Sequence, residues 1–234
     1  MLKVELHAHS SDDPVDQIPH SSCELIDRAA ALGYDALAIT LHDRLLDPGS
    51  LAGYAADRGV VLIPGIERTI EGRHVLLLNF SAAAEQVDSF EDLAHLKACE
   101  DGLVIAPHPF FPATNCLRGL IHRYPDLFDA VERNAMFTRA IDFNLRAERW
   151  AAAHGKPVVG NCDVHRLYQL GTCYSLVDSA PAPAAICSAV RDGRVEVVAR
   201  PLSFARAVAT MADLTAADLR LPDFRLGSTA LHAD

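Results

Sequence analysis

Leu2-Lys3-Val4-Glu5-Leu6-His7-Ala8-His9 opens the chain with a short apolar run that ends in two histidines. Residues 2–6 read as a β-strand. On extended backbone, residues two apart point the same way, so His7 and His9 can reach one ion. The same layout recurs downstream. His42 lies two residues past a strand at 36–40, in Ile39-Thr40-Leu41-His42-Asp43. Glu67 follows a strand at 60–63, in Pro64-Gly65-Ile66-Glu67, and His108 follows one at 104–106, in Pro107-His108-Pro109. Glu132 closes a strand at 130–132, and Asp163 and His165, again two apart, follow one at 158–160.

Helical stretches separate these strands. Ser21-Ser22-Cys23-Glu24 is a capping box that opens a helix ending before Gly33. Further helices are expected at 49–58, at 89–100 with Ser89 as cap, at 139–154 and at 183–192, with a last strand at 195–199. Strands alternating with helices imply βαβ units around a parallel sheet. Seven or more such units favour a closed barrel over an open sheet, and a barrel gathers the carboxyl ends of its strands on one face, where such enzymes place their active sites. No Gly-x-Gly-x-x-Gly or P-loop follows any of the strands.

With 21 basic against 31 acidic side chains the chain carries a net charge of -10, which argues against extended nucleic acid as a partner. The six cysteines (Cys23, Cys99, Cys116, Cys162, Cys173 and Cys187) form no Cys-x-x-Cys, so they read as free thiols of a reducing compartment. No apolar run approaches the roughly 18 residues of a membrane helix. A soluble, cytoplasmic protein is expected.

Of the eleven histidines, His95, His122, His154 and His232 read as ordinary core or surface residues. His74 needs a turn: a hairpin on Glu71-Gly72 sets Thr69 opposite His74. Glu67 is then diagonally adjacent on the same face, roughly 7–8 Å away. Glu132 reads equally well as a cap or surface carboxylate. Five or more buried imidazoles and carboxylates without compensating charge would be strongly destabilising, which divalent cations answer. A donor set with no thiolate suits zinc, manganese or iron rather than calcium. Arg68, beside Glu67, and Arg166, beside His165, are candidate phosphate clamps or plain surface arginines.

In this order the motifs resemble the PHP (polymerase and histidinol phosphatase) family of metal-dependent phosphoesterases. The matching segments are His7-Ala8-His9-Ser10-Ser11-Asp12-Asp13, Ile39-Thr40-Leu41-His42-Asp43, Gly65-Ile66-Glu67, Pro107-His108-Pro109 and Cys162-Asp163-Val164-His165. The stretch from Glu24 to Ala29 leading into Leu32–Thr40 is also similar. The resemblance implies a single-domain, distorted (β/α)7 TIM-like barrel, taken here as residues 1–212 with a C-terminal tail at 213–234. It implies two or three divalent metal ions. His7, His9, Glu67 and Asp163 would hold the first, and Glu67 would bridge to a second with His74 and His108. His42, His165 and Asp12 would hold a third, with Asp13 and His20 as alternatives to Asp12. Two departures stand out: Leu41 replaces the family's usual aspartate, and Asp12-Asp13-Pro14 replaces its Asp-Gly.

The implied activity is hydrolysis of a small phosphorylated metabolite or nucleotide by metal-activated water. Asp12, Glu67, Asp163 and His165 would be catalytic, and Arg68 and Arg166 would bind substrate. The alternatives are a PHP-type or TatD-like nuclease acting on short oligonucleotides and a non-catalytic metal-binding PHP module. No candidate bridging lysine follows a strand, which weighs against the TatD kind.

Overall fold

A computed structural model describes residues 1–218. β1 (Leu2–Glu5) is followed by α1 (Ser22–Ala31), β2 (Ala36–His42), α2 (Gly49–Ala56), β3 (Val61–Ile70) and β4 (Arg73–Leu78). Then come α3 (Phe90–Cys99), β5 (Leu103–Ala106), β6 (Ala130–Asn134), α4 (Asn144–His154) and β7 (Val158–Asn161). β8 (Cys173–Val177), α5 (Pro183–Arg191), β9 (Val195–Ala199) and α6 (Phe204–Asp218) complete it. The strands form one sheet in the order β7-β6-β5-β4-β3-β2-β1-β8-β9.

β4 and β8 run antiparallel to both their neighbours, while every other pairing is parallel. Seven strands therefore share one direction and two oppose it. This is the expected barrel with two reversed strands inserted. The sheet nearly closes, because β7 packs beside β8 and β9. At that seam Gly160 N donates to Ser175 Oγ at 2.9 Å, and the same hydroxyl donates to Gly160 O at 3.1 Å. A side chain at Gly160 would meet the Tyr174 carbonyl oxygen at 2.8 Å, so the approach requires glycine.

Alternation along the strands divides the apolar side chains between two faces. In β2, Ala36 and Ala38 point into the barrel, while Leu37, Ile39 and Leu41 join α1 and α2 in an outer layer. A second outer layer packs α3 and α4 on β3 to β6 through Phe90, Leu93, Trp150, Ile66 and Val104. Each fully buried large side chain contributes about 1.5–3 kcal/mol. α5 buries Ile186, Cys187, Ala189 and Val190 against Val4, Ala36, Leu78 and Leu103. Those positions mark the amino ends of the forward strands and the carboxyl end of β4. The lower barrel is thus apolar and plugged, which leaves the polar chemistry at the other end.

One expected helix start differs, one strand was not anticipated, and one expected boundary meets a helix. The helix expected from 139 starts at Asn144, because Thr138 Oγ1 accepts from Ala140 N and Ile141 N and holds that stretch in a bend. Strand β8 was not legible in its five residues. Helix α6 runs through the boundary expected at 212/213, and the rest of the expected tail, 219–234, lies outside the described residues.

Candidate metal centre

The carboxyl-terminal ends of β1, β2, β3, β5 and β7 and the start of the reversed β4 bring eight of the nine expected ligands together. Glu67 is the hub. β3 continues past the barrel rim as a hairpin with β4, turning on Glu71 and Gly72, both at positive φ (48° and 73°). The register sets Thr69 opposite His74 as expected, and His74 Nδ1 reaches Glu67 Oε1 at 2.6 Å. His108 Nε2 faces the same oxygen at 3.3 Å. Glu67 Oε2 meets His7 Nε2 at 3.0 Å, His9 Nε2 at 3.3 Å and His42 Nε2 at 3.3 Å. One carboxylate thus presents each oxygen to a different set of imidazoles.

Asp163 Oδ1 approaches His7 Nε2 at 3.3 Å, His9 Nε2 at 3.4 Å and His165 Nδ1 at 3.4 Å. Two of these side chains sit on unusual backbone: His108 at φ 30° and Asp163 at φ 53°. Left-handed conformations of non-glycine residues are costly and concentrate where surrounding structure must aim a side chain.

The first motif places its acids differently from the expectation. Asp12 Oδ2 accepts from Ser22 Oγ at 2.7 Å and lies outside the ligand clusters. Asp13 takes that place, its Oδ2 meeting His9 Nδ1 at 3.1 Å, His42 Nδ1 at 3.0 Å and His42 N at 2.9 Å. His20 donates from Nε2 to the His9 carbonyl at 2.9 Å and so braces the loop rather than joining the cluster. Asp16, which no strand-end rule singles out, contacts His165 Nε2 at 3.0 Å. Leu41 is fully buried in the outer layer, on the opposite face of β2 from His42, so the missing carboxylate does not face the cluster.

A polar layer lies beneath the cluster, and strand-end position gave Glu132 a place in it but no role. Glu132 Oε2 accepts from His7 Nδ1 at 2.7 Å and Asn161 Nδ2 at 3.1 Å, and its Oε1 accepts from Asn134 Nδ2 at 2.8 Å. Its role is to fix the imidazole so that Nε2 points at Glu67 and Asp163. Glu5 accepts from Cys162 N at 3.0 Å and His7 N at 3.2 Å, and burial pushes its carboxyl up to about 8. Neither arginine is free. Arg68 binds Asp43, Asp88 and the Val87 carbonyl. Arg166 binds Asp213 and the His165 carbonyl.

Burial opposes charge on these groups, yet the carboxylates of Asp163, Glu67 and Glu132 hold His7 well above the usual imidazole range. His9 and His108 are raised against burial in the same way. In turn the imidazoles hold Glu67 and Asp163 well below the usual carboxylate range. The field of the site draws in positive charge.

Divalent ions fit it. His9 Nε2 and Asp163 Oδ1 are buried polar atoms without a hydrogen-bond partner, facing each other across the cluster. Such orphans cost free energy unless a ligand satisfies them. Imidazole and carboxylate donors without thiolate suit zinc, manganese or iron. Replacing Glu132 with glutamine leaves one acceptor oxygen where three donors converge, so the His7 ring loosens. Metal affinity is expected to fall about 10–100-fold, the usual cost of losing a carboxylate behind a ligating histidine. Titration of the ion-free variant with Mn²⁺ checks it, and unchanged affinity would remove Glu132 from the site.

No curated protein matches the chain in sequence. Residues 142–195 match the family model described as PHP-associated. A two-domain protein from Bacteroides vulgatus containing a predicted PHP-like metal-dependent phosphoesterase superposes with a TM-score of 0.68 at 17% identity, over 91% of this chain and 69% of that one. The chain has a PHP fold. PsfC from Pseudomonas syringae shares the fold with a TM-score of 0.63 at 16% identity, over 92% of this chain and 98% of that one. Endonuclease Q, solved with a 27-mer duplex bearing an abasic lesion at its active site, superposes with a TM-score of 0.55 at 17% identity, over 90% and 67% of the two chains.

That last likeness corrects the reading of extended nucleic acid as no partner. Endonuclease Q, similar in fold over 67% of its chain, takes a DNA duplex as substrate. The net charge of -10 averages the whole surface and does not report on a site whose charge metal ions would reverse.

Proposed function

We propose that this protein is a metal-dependent phosphoesterase that hydrolyses a phosphate ester. The observation that supports it is Glu67, with one oxygen toward His74 and His108 and the other toward His7, His9 and His42. His7, His9, Glu67 and Asp163 would hold one ion, and Glu67, His74 and His108 a second. His42 and His165, with Asp13 and Asp16 in place of Asp12, would surround a third. When bound, such ions act as Lewis acids on phosphate oxygens and make water a competent nucleophile at neutral pH. The residues themselves supply position: Glu132 orients His7, and the strained backbone at Asp163 aims its carboxylate inward. Arg166 lines the cleft above the cluster, where it is paired with Asp213.

No helix among the described residues is long and apolar enough to cross a membrane. The six free cysteines support a reducing compartment. A nucleic-acid ester is a second reading, favoured by the likeness to endonuclease Q. Ion-free protein reconstituted with Mn²⁺ or Zn²⁺ should release alcohol or phosphate from an aryl phosphate, a phosphodiester or an abasic duplex. Bound metal with no turnover of any of the three rejects the enzyme and leaves a metal-binding module.

A further inference from the structure

Exposed apolar side chains are not scattered over this surface. Nine large hydrophobic residues are exposed among the described residues. Six of them (Val15, Ile141, Phe143, Phe204, Val208 and Met211) line one cleft. Its volume is about 1230 Å³, and it opens onto Glu67, His42, His74, His108, Asp163 and His165. A phosphate group needs little of that space, and the volume exceeds the roughly 300–1,000 Å³ typical of small-molecule sites.

Phe204, Val208 and Met211 stand at i, i+4 and i+7 on α6, the stripe that a surface helix normally turns to the core. Here they are 67%, 52% and 53% exposed. The helix is latched in that pose: Asp213 accepts from Arg166 Nε and the Tyr168 hydroxyl, each at 3.1 Å, and Arg206 donates to the Tyr168 carbonyl at 3.0 Å. Facing walls come from Phe111 and Phe143, whose rings lie 5.4 Å apart. Arg166 is the only lysine or arginine in the described lining, and it is already paired with Asp213. Anionic charge is therefore favoured at the metal end alone, while the rest of the cleft favours apolar surface.

We propose that the cleft holds the leaving group of the substrate, and that this group is a large, uncharged apolar alcohol or phenol. The substrate class is then a phosphate monoester with a hydrophobic body. Water oxygen bonds to phosphorus, the ester P–O bond breaks, the alcohol leaves with a proton, and inorganic phosphate remains. This inference rests on the phosphoesterase reading above.

Two series on the Mn²⁺-loaded full chain test it: calorimetric binding of n-alkylphosphonates from propyl to octyl, below their micelle concentrations, and hydrolysis of the matching alkyl phosphates. Affinity and kcat/KM should each rise about threefold to fourfold per methylene, the factor for burying one such group. Phe204→Ser with Met211→Ser should cut the octyl-to-propyl ratio at least tenfold. Leu145→Ser, exposed but outside the cleft, should keep the parent ratio. Binding and turnover that ignore chain length overturn the inference and leave the phosphoesterase standing. Chain-length-dependent binding with no ester hydrolysed overturns the phosphoesterase and leaves the apolar site standing. A dimer that Met211→Ser dissolves, joined to a flat phosphonate series, assigns the stripe to a second copy and overturns the inference.

Discussion

Glu67→Gln is expected to lower hydrolysis by about 10³-fold or more, roughly 4 kcal/mol of transition-state stabilisation. The substitution keeps shape and changes two things. It removes the negative charge that five imidazoles share. It also turns an NH₂ toward one set of those imidazoles, where ring nitrogens are wanted as metal donors. No neighbouring acid spans the same set: Asp163 faces His7, His9 and His165, and Asp13 faces His9 and His42, while His74 pairs with Glu67. Elemental analysis should show at least one ion fewer per chain than in the parent. Asp12→Asn is the contrast, because Asp12 is engaged by the Ser10 and Ser22 hydroxyls away from the cluster. Its metal content should match the parent. A Glu67→Gln protein with full metal content and more than a tenth of the parent rate would remove Glu67 from its place as the bridge.

What the sequence made legible, it did through backbone period. Residues two apart on extended backbone share a direction, which pairs His7 with His9 from spacing. Asp163 and His165 lie past β7 with Asp163 left-handed, and the bridge between Ala8 and Val164 brings that pair beside the first. The β3–β4 turn was readable because Glu71-Gly72 supplies the two positive-φ residues such a hairpin needs, and the register with Thr69 opposite His74 follows from its length. Period fails where the chain is irregular. Residues 10–20 form no regular element, so nothing in their order separates Asp12 from Asp13. That choice is made by Ser22 at the start of α1, which engages Asp12, and by His42 at the end of β2, which engages Asp13. Both contacts join residues well separated along the chain. Asp16 was invisible for the same reason, its partner His165 lying 149 residues away. Glu132 was at a readable place, the end of a strand, but its role behind His7 depends on how far the barrel interior separates β6 from β1. Leu41 shows the opposite error: a departure from the family motif reads as a lost ligand until alternation along β2 turns it to the outer layer.

Removing divalent ions should lower Tm by about 10 °C. At a free ion concentration 1,000 times Kd, one bound ion stabilises the native state by about 4 kcal/mol. For a chain of this length each kcal/mol moves Tm by about 2–4 °C. The sign follows from the site. In the ion-free protein His9 Nε2 and Asp163 Oδ1 are buried without a hydrogen-bond partner, and the surrounding carboxylates raise the His7 and His9 imidazoles against burial. His7, His9 and His108 are all held above the ordinary imidazole value of 6.5, so near neutrality they bind protons that a metal must displace. Ion binding should therefore release protons, and affinity should fall as pH falls. Titration calorimetry of Mn²⁺ in two buffers of different ionisation enthalpy measures the protons released, and thermal scans with and without chelator measure the shift. Unchanged Tm on chelation, or binding with no proton released at pH 7, would mean that ions do not enter between these side chains and would move the metal elsewhere.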